Sequence, residues 1–285
     1  MVCVAFSSIL VRLADAPSMS IAFWRNALAA AILLPIALTK HRGEFRSLSR
    51  REWGTAVLAG ALLALHFALW IPSLSFTTVA ASTVLVTTMP VWVALIGRAM
   101  GETVSRRTVL GIALALGGAV AISGGDISVS ARAVFGDALA LTAAVAEAGY
   151  FLAGRSLRQR VSLTTYVGIA YTTAAAFLAV VVAASPNATF GGFSAEVWAL
   201  LVAMTLVPQI GGHTVFNYLL GHVDASVVAI AVTGEPVMAT ILAMLFFQEI
   251  PSWSAVAGGA LILAGIYVTI SAQARRPEGR AVPLE

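Results

Sequence analysis

"TTMPVWVALIGRAMGE" (87–102) and "VTGEPVMATILAMLFFQE" (232–249) are written to one pattern. In each, a proline near the start opens an apolar run that closes on a glutamate. A second pair, "VLGIALALGGAVAI" (109–122) and "VAGGALILAGIYVTI" (256–270), follows in step. His66 then corresponds to His213, and Glu102 to Glu249, each pair 147 residues apart. A pattern that returns once at this distance divides the chain into two similar halves.

The composition says where those halves reside. The 285 residues are 59% hydrophobic and 11% charged, with a mean hydropathy of +0.92. A soluble chain of this length needs far more polar residues to cover its surface. Apolar runs of about 20 residues, the length that spans a bilayer, recur between short islands of charge. The sole cysteine, Cys3, allows no internal disulfide. A sequence pI of about 9.7 brings nucleic acid to mind, but the basic residues sit in loops and are read as charges that orient helices. No nucleic-acid partner is expected; the partners are the lipid bilayer and a small molecule.

Ten spans are expected, near 1–14, 18–38, 53–74, 77–98, 104–123, 134–154, 164–184, 195–219, 225–247 and 252–272. The first is short for a crossing. A signal peptide is its rival reading, weakened because no basic residue precedes the apolar part. Five spans per half is an odd number, so the second half is inverted relative to the first, a hallmark of secondary transporters. The expected fold is therefore an all-α polytopic membrane protein of ten transmembrane helices, built as two inverted five-helix repeats. Residues 1–123 form the first, 134–272 the second and 273–285 a tail.

Charge orients this fold. Lys40, Arg42, Arg46, Arg50, Arg51, Arg98, Arg106, Arg107, Arg155, Arg158, Arg160, Arg275, Arg276 and Arg280 all fall on one side of a ten-span chain. The other side keeps Arg12 and Arg132. The basic side is cytoplasmic by the positive-inside rule, which places both termini inside a bacterial inner membrane.

"TTVAASTVLVTTMPVWVALIGRAMGETVSRRTVLGIALALGGAVAI" (77–122) resembles the first EamA repeat of the drug/metabolite transporter superfamily. "FGDALALTAAVAEAGYFLAGRSLRQR" (135–160) and "EPVMATILAMLFFQE" (235–249) resemble the second. Within that family the chain is most similar to YddG-type bacterial exporters of aromatic and other amino acids. The resemblance implies ten helices, a central cavity and export from the cytoplasm.

Intramembrane polar residues are costly and mark candidate sites. Glu147 in span six and Glu235 in span nine would bind a substrate ammonium or carry a coupling proton; alternatively, Glu235 satisfies backbone freed by Pro236. His66 and His213 would relay protons or hydrogen-bond substrate, or are neutral rings satisfied locally. Gln209, His213 and Asn217 recur every four residues and share one face, expected to front the cavity, with Trp70 as the first-half match of Asn217. Trp92 and Tyr150 would wall an apolar side chain. Pro90 and Pro236 suggest paired kinks, with Thr87 and Thr88 satisfying the backbone around the first. Pro208 with Gly211 and Gly212 suggests a bend in span eight.

Arg25 is read as a basic residue near the outer end of span two, snorkelling, pairing with Asp15 or holding a substrate carboxylate. Glu102 and Glu249 are read as helix-end anchors. Ala56, Gly60, Ala64 and Ala68 form a small-residue stripe for close helix contact. The "GGD" at 124–126 is placed in a loop. No cofactor or metal site is expected, because no ligands stand at metal spacing beside the histidines.

The resulting expectation is a secondary transporter of aromatic or neutral amino acids, acting by alternating access and self-contained as a monomer. Other drugs, metabolites or nucleotide-type solutes remain open as cargo. An intramembrane enzyme is the different-class alternative, but the chain carries no His-Glu-x-x-His and no Gly-x-Ser-x-Gly. Proton coupling and facilitated diffusion both fit.

Overall fold

The computed structural model describes residues 2–101, 105–127, 130–219 and 234–274. Glu102, the start of expected span nine (225–233), and Arg275, Arg276 and Arg280 lie outside the described residues. The described chain is helical throughout, without a strand. Seven of its helices are long and apolar enough to cross a membrane, and two shorter apolar helices, Val2–Leu13 and Glu235–Phe247, accompany them. This is a multi-pass membrane protein.

In chain order the helices are α1 (Val2–Leu13), α2 (Ser18–Lys40), the short α3 (Arg42–Ser47), α4 (Arg50–Ser73), α5 (Val79–Val86), α6 (Met89–Ala99) and α7 (Arg106–Ile127). There follow α8 (Ala131–Leu157), α9 (Leu163–Ala184), α10 (Ala195–Met204), a π-helical segment (Thr205–Thr214), α11 (Val215–Leu219), α12 (Glu235–Phe247) and α13 (Trp253–Ala274). Their starts are written in the sequence. Ser49, Thr78, Ser130, Ser162 and Ser194 each accept the backbone N–H three residues on, satisfying a donor the first turn leaves open. At Ser49 the capping box is complete, with Glu52 Oε2 accepting the Ser49 N–H at 2.8 Å.

Two expected spans are interrupted. Span four is broken outright at Thr87–Thr88, and Pro90 stands in the first turn of α6, where its missing N–H costs nothing. The hydroxyls of Thr87 and Thr88 donate to Val84 O at 2.9 Å and Leu85 O at 2.7 Å. Span eight is wound as a π-helix over ten residues that hold Pro208, Gly211 and Gly212. Such segments tend to sit at functional sites. Here the Thr214 hydroxyl reaches five residues back to Gln209 O at 3.1 Å. Gly212 admits α1: a Cβ there would stand 2.5 Å from Val4 Cγ2. The "GGD" at 124–126 belongs to the last turn of α7, not to a loop.

The closest helix seam joins α7 to α13. A Cβ on Gly111 would meet the carbonyl oxygen of Gly265 at 2.5 Å, and one on Gly118 that of Gly258 at 2.5 Å. The reverse holds too, with Gly265 facing Gly111 O at 2.5 Å and Gly258 facing Gly118 O at 2.6 Å. Small residues let backbones touch where lipid offers no hydrophobic drive for association. Gly60 does the same for α4 against α9, where its Cβ would lie 2.7 Å from Ala170 O.

Polar links tie each end of the bundle. At one end Arg12 bonds Leu74 O at 3.3 Å and pairs with Glu249 at 3.4 Å, while Glu249 Oε1 accepts the first N–H of α5, from Val79, at 2.7 Å. Glu249 thus anchors a helix end. At the other end Arg160 pairs with Glu52, and Glu44 accepts the N–H and hydroxyl of Ser162 at 2.8 and 2.9 Å. Burial works against ionisation of Glu44, but hydrogen bonds from Thr165 and Ser162 outweigh it and hold the carboxyl below its usual range.

Candidate functional site

Between those ends lies a small polar cavity of about 20 Å³, lined by His66, Trp70, Val86, Thr87, Glu147, His213 and Glu235. Five stretches of the chain contribute to it. His66 and Trp70 sit one turn apart on α4, with rings stacked at 6.1 Å and 13°. Glu147 comes from α8, and His213 from the π-helix. Val86 and Thr87 come from the end of α5, and Glu235 is the first residue of α12. A helix N-terminus carries partial positive charge, which favours a carboxylate there.

His66 is oriented by its backbone partner. Its Nδ1 lies 3.1 Å from Ala143 O; since a carbonyl only accepts, Nδ1 carries the proton. Glu147 Oε2 stands 3.8 Å from the same nitrogen. Glu235 is 8% exposed and makes no hydrogen bond among the described residues. Trp70 is 3% exposed, and its buried indole N–H has no partner among the described residues.

Beside the cavity stands a fully buried arginine. Arg25 donates from Nε and Nη2 to Gln209 Oε1 at 2.9 and 2.7 Å, and from Nη1 to Ser7 at 3.1 Å. Its guanidinium lies over the Phe67 ring at 4.0 Å, a contact that is worth about 2 kcal/mol when desolvated. Gln209 is held in turn by Asn26, whose Oδ1 lies 3.5 Å from Nε2, and Tyr171 meets Thr214 at 3.0 Å. Placing Arg25 near an outer helix end is thus corrected: it neither snorkels nor pairs with the exposed Asp15, because the bend in the π-helix brings Gln209 to it.

The candidates read from sequence separate accordingly. His66, Trp70, Glu147, His213 and Glu235 converge on the cavity. Gln209 does not line it, being turned to Arg25. Asn217 accepts from Tyr150 at 3.3 Å and donates to His213 O at 2.8 Å, so both it and Tyr150 serve helix contacts away from the cavity; Tyr150 stacks on Tyr166 at 5.9 Å. Trp92 bonds Thr88 at 3.1 Å and borders a separate apolar groove with Leu116, Val120 and Leu141. The four-residue spacing of Gln209, His213 and Asn217 assumed an α-helix, and the wider π turn spreads them. Missed in the sequence was Val86 as a cavity wall; Thr87 was read as a backbone partner only, and Arg25 as a snorkelling residue, a partner of Asp15 or a holder of substrate carboxylate, not as a partner of Gln209 beside the centre. Among the described residues no cluster of three metal-ligating side chains exists.

Comparison with known proteins gives a consistent picture. A model described as the EamA-like transporter family matches residues 1–124 and 134–271. A protein of Archaeoglobus fulgidus named an uncharacterized transporter is 28% identical over 272 residues, covering 94% of this chain and 93% of its own. A solved structure, titled only as the crystal structure of a protein, superposes with a TM-score of 0.65 over 96% of this chain and 95% of its own. At 19% identity that likeness speaks for the fold alone.

Proposed function

The chain belongs to the EamA-like transporter family, and from that premise we propose that it is a secondary transporter exporting aromatic and neutral amino acids or similar small metabolites by alternating access. The observation that carries this reading is the polar cavity: two carboxylates, two histidines and an unsatisfied indole N–H meeting inside an apolar bundle. Such groups are expensive in a membrane and mark substrate or ion paths.

The two-repeat, ten-helix architecture is part of the proposal. Gly111 and Gly118 correspond to Gly258 and Gly265 at the 147-residue repeat distance. Their crossed contacts, Gly111 to Gly265 and Gly118 to Gly258, are what an internal two-fold axis in the membrane generates. Gly101 and Gln248, also repeat mates, both take the left-handed conformation, at φ 95° and 54°. The family matches over 1–124 and 134–271 follow the same division. The basic residues favour cytoplasmic termini in the inner membrane. The bundle ends held by Arg12–Glu249 and by Arg160–Glu52 then act as alternating closures on either side of the cavity.

Purified protein in liposomes tests this. Labelled phenylalanine should accumulate in exchange for unlabelled phenylalanine on the opposite side, and repeating the assay with an imposed pH gradient reads the coupling. Absence of flux for every amino acid tried would discard the amino-acid reading while leaving the family in place.

A further inference from the structure

The walls of the central cavity are mismatched in a way that describes a ligand. Glu147 and Glu235 reach it as carboxylates, acceptors when ionised, and neither has a hydrogen bond among the described residues; the nearest partner of Glu147 is His66 Nδ1 at 3.8 Å. That nitrogen already donates to Ala143 O. Among the described residues two wall groups keep an unused donor: Trp70, whose buried N–H finds no acceptor, and the half-buried His213, whose ring makes no hydrogen bond. Buried polar groups are almost always paired, so this set calls for a molecule that donates to the carboxylates and accepts from the indole. The space, about 20 Å³, holds one water-sized group, the size of a protonated amine head.

Arg25 does not supply the missing partner. It is committed to Gln209 and Ser7 and does not line the cavity. Its charge nonetheless lies within Coulombic range of Glu235.

We propose that Glu147 and Glu235 form the ammonium subsite of the transport site, and that the Trp70 indole N–H donates to an oxygen acceptor beside that ammonium. The cargo is then a primary amine with a neighbouring carboxylate or carbonyl oxygen. The inference rests on the transporter reading and deepens it by dividing recognition among three helices, α8 and α12 for the ammonium and α4 for the oxygen acceptor.

Binding to the full-length protein in nanodiscs separates the two contacts with three probes: phenylalanine, phenethylamine, which lacks the carboxylate, and 3-phenylpropionate, which lacks the amine. The wild type should bind them in that order, the last at least 10-fold weaker than the first. Glu147→Gln and Glu235→Gln should each weaken both amines about 10-fold or more, in keeping with a lost charge-assisted hydrogen bond. Glu147→Asp, which keeps the charge, should retain part of the affinity and show that the glutamine variant fails by charge and not by misfolding. Trp70→Phe should bring phenylalanine down to the affinity of phenethylamine and leave phenethylamine within about twofold. The proposal is overturned by 3-phenylpropionate binding as tightly as phenethylamine, by neither amine binding, or by full affinity in both glutamine variants. Selective amine binding without flux in liposomes would sustain the subsite and sink the transporter reading. Flux with unchanged binding in Glu147→Gln and Glu235→Gln would do the reverse.

Discussion

The α7–α13 seam and the polar centre treat the repeat in opposite ways. At the seam, residues 147 positions apart do the same job: a Cβ on any of the four glycines would fall 2.5–2.6 Å from a carbonyl oxygen of the facing helix. At the centre, mates diverge. His66 is buried and bonds Ala143 O, whereas His213 is half-buried and sits edge-on to Phe67 at 5.9 Å. Trp70 walls the cavity while Asn217 holds Tyr150. Arg25, buried, answers to Thr172, an exposed residue that bonds only its own helix at 2.7 Å. Glu235 opens α12, whereas its mate Thr88 stands just before α6 and turns its hydroxyl to Leu85 O at 2.7 Å. Matched positions build the frame; mismatched ones carry the charge.

The largest effect expected on this contrast is at the seam. Gly118→Val and its mate Gly265→Val should each cost about 3 kcal/mol, since a Cβ has no room between the two backbones. Thermal unfolding in detergent reads this, and a large loss in one variant with none in the other would break the reciprocity. The centre should behave oppositely. Arg25→Lys removes the fork that grips one Gln209 oxygen twice and should cost about 2 kcal/mol and most of the flux. Thr172→Ala at the mate position should stay within about 0.5 kcal/mol.

Smaller still is the left-handed cap. Gln248 holds φ 54° where its mate is Gly101, so Gln248→Gly should gain about 1 kcal/mol and Gly101→Ala lose about as much. The last is a pH effect. The folded protein holds the Glu44 carboxyl below the usual carboxylate range, so its stabilisation is complete above that range and is lost as pH falls through the lower, folded-state pKa. On acidification below the usual carboxylate range the wild-type melting temperature should therefore drop more steeply than that of Glu44→Gln; parallel curves would assign Glu44 no such role.

Much of the frame was legible because lipid imposes a coarse rule. Apolar length marks helices, and serine or threonine caps mark where they begin, so the expected spans 18–38, 53–74, 134–154 and 164–184 each fall on one continuous helix. The interruptions were legible only as tendencies. Pro90 announced a disturbance but not a clean break at Thr87–Thr88, and Pro208 with two glycines announced a bend but not ten residues of π-helix. That winding decided the centre, because it turned Gln209 to Arg25 and moved Asn217 off the cavity. Single intramembrane charges, Glu147 and Glu235, were conspicuous in sequence since their cost is paid locally. Arg25 was misplaced because its partners, Ser7 and Gln209, lie on other helices, and sequence distance says nothing about which helices touch.

Alternating access requires that the small cavity be reached in turn from both sides of the membrane. Cys3 is the chain's sole cysteine, so a Cys3→Ser background with Thr87→Cys places one thiol on the cavity wall. An impermeant thiol reagent applied separately to each face of sealed, uniformly oriented vesicles measures access. The expected result is labelling from either face, with rates that phenylalanine shifts in opposite directions. Labelling from one face alone, unaffected by phenylalanine, would contradict it.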